Sequence, residues 1–105
     1  MRNYETVIIW STSIPDTEVE QEHDRVVEII GKTGSSYKSS DKWTRRLLAY
    51  PIKKQTEGIY HFLKWTGGND TVAAIDKHLK IHDSCLRYIT LRDEKESSEE
   101  SGGDE

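Results

Sequence analysis

Two apolar periodicities alternate along the chain in an order that constrains the fold. Residues 4–10, YETVIIW, are β-branched and aromatic with no Gly or Pro, which predicts a strand. Ser11–Pro15 breaks it, and Val19, His23, Val26, Val27 and Ile30 then recur at helical spacing. Thr17-Glu18-Val19-Glu20 fits a capping box, and Gly31 or Gly34 can end the helix. Ser36–Ile52 is long and mixed. Its second half, Trp43–Ile52, reads as a strand closed by Pro51, and Lys53–Gly58 reads as a turn. Ile59–Thr66 is a further strand, hairpinned to the one before it. Gly67-Gly68-Asn69-Asp70 interrupts the pattern. Asn69 or Asp70 can cap a second helix with Val72, Ile75, Leu79 and His82 on one face. Residues 85–92, CLRYITLR, form the last strand.

The resulting order is β-α-β-β-α-β. Two right-handed crossovers and one hairpin give an α+β, ferredoxin-like sandwich. Its expected form is a four-stranded antiparallel sheet with the first and third strands central and both helices on one face. The other face then has no cover of its own. Val7 and Ile9 alternate with Thr6, Ile8 and Trp10; Tyr60 and Phe62 with Ile59, Leu63 and Trp65; Ile89 and Leu91 with Leu86 and Tyr88. Whichever set meets the helices, the other leaves apolar groups on the open side, and such a patch marks a binding surface.

With 105 residues, 33% of them hydrophobic and 32% charged, the chain supports one domain with a small core. One cysteine, Cys85, excludes an internal disulfide and fits a reducing compartment. No apolar run approaches the roughly 20 residues of a membrane span, and residues 1–5 lack a secretory pattern, so a cytoplasmic protein without membrane contact is expected. The net charge of −4 conceals a division. Residues 93–105 hold seven acids against one lysine, whereas residues 1–92 hold 14 Lys/Arg against 12 Asp/Glu. The expected organisation is a domain over 1–92 and a disordered acidic tail over 93–105.

Lys42-Trp43-Thr44-Arg45-Arg46 and the following residues to Lys54 interleave cations with Trp43 and Tyr50, as a phosphate- and base-contacting strand would. A charged edge strand that deters aggregation reads equally well from the same residues. His78 and His82, four apart with Asp83 adjacent, have a metal-ligand spacing but no third strong ligand, so no metal is expected. His23 and His61 read as structural histidines. Glu18, Glu22, Glu20 and Asp24 read as a solvated helix face, and no catalytic group is expected.

Tyr4-Glu5-Thr6 after Met1-Arg2, then Arg46-Leu47-Leu48-Ala49-Tyr50-Pro51-Ile52, Glu57-Gly58-Ile59-Tyr60 and Lys80–Tyr88 with Arg92 stand in an order that resembles bacterial small-subunit ribosomal protein six. Thr44-Arg45-Arg46-Leu47 stands where that family usually has Gly-Lys-Arg-Arg. The resemblance implies the ferredoxin-like fold. It also implies a structural role on the central domain of small-subunit rRNA, alongside small-subunit ribosomal protein eighteen. It implies rRNA contacts at Arg2, Arg45, Arg46, Tyr50, Lys53, Lys54 and Arg87, with Lys42 in the same basic run. The expected partner-protein surface is Val7, Ile9, Tyr60, Phe62, Ile89 and Leu91, and the chain is expected to be a monomer outside the ribosome.

Two other classes compete. A general RNA-recognition module would stack bases on its central strands, and Glu57–Phe62 resembles its third-strand motif without the leading cation. An acylphosphatase-like enzyme needs a glycine-rich loop after strand one, and Ser11–Pro15 has no glycine. A metal carrier needs paired cysteines.

Overall fold

The computed structural model describes residues 2–92, and its architecture grows from one strand pair. Strand β1 (Arg2–Ser11) lies antiparallel to β4 (Gln55–Gly67) along its whole length, from Arg2 opposite Gly67 to Ser11 opposite Gly58. On its other side β1 pairs with β5 (Cys85–Arg92). Helices α1 (Asp16–Lys32) and α2 (Asn69–Lys80) both pack on one face of the sheet. The expected α+β, ferredoxin-like arrangement is therefore present, with the first long strand and the strand after the hairpin in the centre. The acidic tail over 93–105 lies outside the described residues.

The outer edge differs from expectation because it comes in two pieces. Strand β2 (Ser36–Ser40) pairs with the C-terminal half of β4, and β3 (Thr44–Ile52) with its N-terminal half, giving five strands. The sequence SYKSS carries no apolar alternation because this edge buries almost nothing. The hairpin turn is also shorter than expected. Only Lys53 and Lys54 lie between β3 and β4, both left-handed, at φ 50° and 68°. Ile52 faces Gln55 across them. Gly58 is therefore inside a strand. A Cβ there would fall 2.5 Å from the Ile9 side chain, so close packing requires the glycine.

The helix ends correct two further expectations. Thr17 makes no capping bond. The helix begins two residues earlier, with the Pro15 carbonyl accepting from Glu18 and Val19 at 3.0 and 3.2 Å. In α2, Gly68 is the capping position, and Asn69 is already helical, its Oδ1 accepting from the Tyr4 hydroxyl at 3.4 Å. At the other end of α1, Gly34 at φ 85° lets Ser35 donate to Ile30 and Gly34 to Gly31, the paired bonds that close a helix.

Register settles which face each residue takes. Tyr4, Thr6, Ile8 and Trp10 of β1 and Ile59, His61, Leu63 and Trp65 of β4 are buried beneath the helices. Val19, Val26, Ile30, Ile75 and Leu79 cover them. The two core indoles keep hydrogen-bond partners, as buried indoles require. Trp65 donates to Thr6 at 2.9 Å and Trp10 to His61 Nδ1 at 3.2 Å.

Candidate nucleic-acid and partner interface

The apolar residues on the open face include Val7 and Ile9, Tyr60 and Phe62, and Ile89 and Leu91. Val7 sits between Phe62 and Ile89, Ile9 faces Tyr60, and Leu91 faces Glu5. All six expected partner-surface residues thus share one side of three adjacent strands. Ile89 and Leu91 are each 49% exposed. Among the described residues no helix packs on this side, although Arg46 and Tyr50 of β3 reach over it.

The basic residues divide between two sides of the edge. Along β3, Arg46 lies opposite Gly58 and Arg45 opposite Ile59, so successive side chains alternate. Arg46 lies over the rings of Tyr60 and Phe62, its guanidinium carbon 5.2 and 5.8 Å from their centroids. Tyr50 reaches across the sheet and accepts a hydrogen bond from Arg87 on β5. Arg46, Tyr50 and Arg87 therefore converge on the apolar face. Arg45 turns the other way, 4.0 Å from Glu57, and lines a depression with Lys42, Trp43, Asp16 and Ile59. Lys53 and Lys54 stand at the hairpin tip. Arg2 is remote. It begins β1 opposite Gly67, about 40 Å of strand from the hairpin, beside a cleft formed with Thr33–Ser35 and Gly67–Thr71.

Burial under the helices overturns one expectation outright: Glu22 is not solvated. It is 7% exposed, with Oε1 2.9 Å from His78 Nε2 and Oε2 3.1 Å from His82 Nε2. Its partners lie on α2 and the turn after it, so they are distant in sequence. Burial alone pushes the Glu22 carboxyl up, but the two imidazole hydrogen bonds and their charge outweigh it, and the pKa falls below 4.5. The His82 ring is oriented by the Ser84 amide, which donates to Nδ1 at 3.3 Å and leaves the proton on Nε2, facing Glu22. The pair His78 and His82 is thus committed to a carboxylate. Among the described residues, no three His, Cys, Asp or Glu are arranged to hold a metal ion.

His61 and His23 are structural, as expected, but linked. His61 is fully buried, accepts from Trp10 and meets His23 Nδ1 through Nε2 at 3.0 Å. Burial, aided by the His23 charge, lowers its pKa from 6.5 to about 4. Cys85 is buried, and burial raises its thiol to about 11, so it is a poor nucleophile. Among the described residues, no helix is long and apolar enough to cross a membrane.

Comparison with known proteins identifies the family. Residues 3–92 match the family model for ribosomal protein S6. The chain is similar to small ribosomal subunit protein bS6 of Natranaerobius thermophilus, 35% identical over 90% of this chain and 98% of that one. It is 38% identical to the bS6 protein of Corynebacterium diphtheriae, over 90% of this chain and all of that one. The crystal structure of 30S ribosomal protein S6 from Thermotoga maritima superimposes with a TM-score of 0.85 at 23% identity, covering 97% of this chain and 98% of that one, which speaks to the fold. With a family model spanning nearly all the described residues, this chain belongs to the ribosomal protein S6 family, and is a structural protein of the cytoplasmic small ribosomal subunit rather than an enzyme.

Proposed function

We propose that the chain, a monomer before assembly, binds the central domain of small-subunit rRNA together with small-subunit ribosomal protein eighteen. The observation that carries this reading is the meeting of Arg46, Tyr50 and Arg87 with the uncovered apolar face. Phosphates pair with guanidinium and ammonium groups, and apolar rings give a protein partner area to bury. Arg46, Lys53, Lys54 and Arg87 take the RNA backbone, with Lys42 and Arg45 on the far side of the edge. Val7, Ile9, Tyr60, Phe62, Ile89 and Leu91 take the protein partner. Arg2 contributes separately, from the opposite end of β1. Residues 1–92 carry the binding, and the acidic tail takes no part.

A base-stacking module is the weaker reading. Tyr60 and Phe62 do share the open face, 6.4 Å apart, but the Arg46 guanidinium already lies over both rings. Tight binding of short unstructured RNA would favour it. Chemical footprinting of small-subunit rRNA, with and without ribosomal protein eighteen, tests the main reading. Protection of the central domain, strengthened by the partner, is expected, and no protection there would defeat it. Deleting residues 93–105 should leave that protection unchanged.

A further inference from the structure

The edge of the sheet breaks at residues 41–43, between β2 and β3, opposite His61 and Phe62. Asp41 and Lys42 are exposed there, whereas Trp43 turns inward. Its ring meets His61 edge-on at 5.2 Å and His23 at 5.9 Å. Trp43 is the one packed residue of the break, and Lys42 and Arg45 flank it.

The two histidines beneath it have no freedom in their protons. The Trp10 indole can only donate, so His61 Nδ1 must be bare. His61 then carries its proton on Nε2 and donates to His23 Nδ1. A proton added to His61 sets an N–H against the Trp10 N–H. One added to His23 sets an N–H against the His61 N–H, and shifting the tautomers only moves that conflict to Trp10. Any single protonation therefore leaves two donors face to face in a buried site, where an unmade hydrogen bond is costly.

We propose that the His23–His61 pair is a proton-operated latch on Trp43: uncharged, it holds the basic edge against β4, and one added proton releases Trp43 and loosens residues 41–46. Its regulatory meaning rests on the reading of that edge as RNA-binding; the latch itself does not. The surrounding groups are named from every side. Trp10 faces His61 from β1, His23 from α1 and Trp43 from the edge. Tyr37 of β2 faces His23. His82, tied to Glu22, lies behind Trp10, and Asp16 shares the depression with Lys42 and Arg45.

The test is a pH titration of the full chain by NMR, without RNA. It follows the His23 and His61 rings, the Trp43 indole N–H and the amides of Thr44–Arg46, with Tyr88 and Ile89 on the opposite edge as controls. The Trp43 and edge signals should move with the midpoint of the His61 imidazole, on the acid side of the ordinary histidine range, while Tyr88 and Ile89 stay still. Imidazole protonation with Trp43 unmoved overturns the proposal, as does simultaneous change at Tyr88 and Ile89, which marks global unfolding. Trp10→Phe removes the donor facing His61, so the His61 midpoint and the Trp43 transition should shift upward together; an unchanged midpoint also overturns it. Should that variant not fold, the wild-type titration decides. RNA footprinting tests the edge independently, so the two failures are distinguishable.

Discussion

The two faces of this sheet are built from the same strands by opposite rules. On the covered face, Trp10, Trp65, Thr6 and His61 are buried and each polar atom has a named partner. On the open face, Val7, Ile9, Tyr60 and Phe62 stay partly exposed, and Arg46 and Arg87 lie among them. The covered side is closed by the helices of the same chain, and the open side leaves apolar area exposed. Apolar content alone does not separate them; the presence of cations among the rings does.

Truncation should break the symmetry of the two faces most visibly. Leu63→Ala, on the covered side and fully buried, should cost about 2–5 kcal/mol in urea unfolding. Phe62→Ala, its neighbour on the open side, should cost well under half of that. Comparable losses would mean that the open face is part of the core.

Acid should act first through groups buried against the covered face. His61 is about 4 when folded against 6.5 unfolded, so the unfolded chain binds the extra proton. Its contribution is complete above pH 6.5 and is lost as pH falls to about 4, amounting to about 3 kcal/mol. Urea midpoints at the two ends of that window measure it, and a flat profile would contradict it. Glu22→Gln should cost about 1–3 kcal/mol at neutral pH by weakening the bonds to His78 and His82. Because the Glu22 pKa is lowered, that difference is full above 4.5 and should vanish as pH falls through the folded value.

The smallest effect on stability sharpens the functional side. Lys53 and Lys54 hold left-handed angles that Asn and Gly adopt more readily. Replacing them with Asn-Gly should stabilise the hairpin by roughly 1 kcal/mol in thermal unfolding while weakening rRNA binding. A variant that gained stability and bound RNA unchanged would remove the hairpin tip from the interface.

The periodicity of β1, β4, β5 and both helices was legible because these segments each bury one side against the core. The faces were not, since Val7 and Ile8 are equally apolar and only register against β4 distinguishes them. SYKSS gave no strand signal because an exposed edge needs no apolar pattern. The Lys53-Lys54 turn lacks the Gly or Asn that announces such turns, and the nearby Gly58 serves close packing inside a strand instead. Glu22 looked like one acid among several on α1, because its partners are 56 and 60 positions further along the chain. The basic run was visible as composition, but its division between two sides of β3 is a property of strand alternation.

Cations gathered at the hairpin and over the open face are proposed to grip rRNA. The most direct test of that grip is the salt dependence of central-domain rRNA binding by a chain with alanine at Arg45, Arg46, Lys53 and Lys54. The variant should fold, bind far more weakly, and lose about three from the slope of log affinity against log salt. Affinity and slope equal to those of the unaltered chain would contradict it.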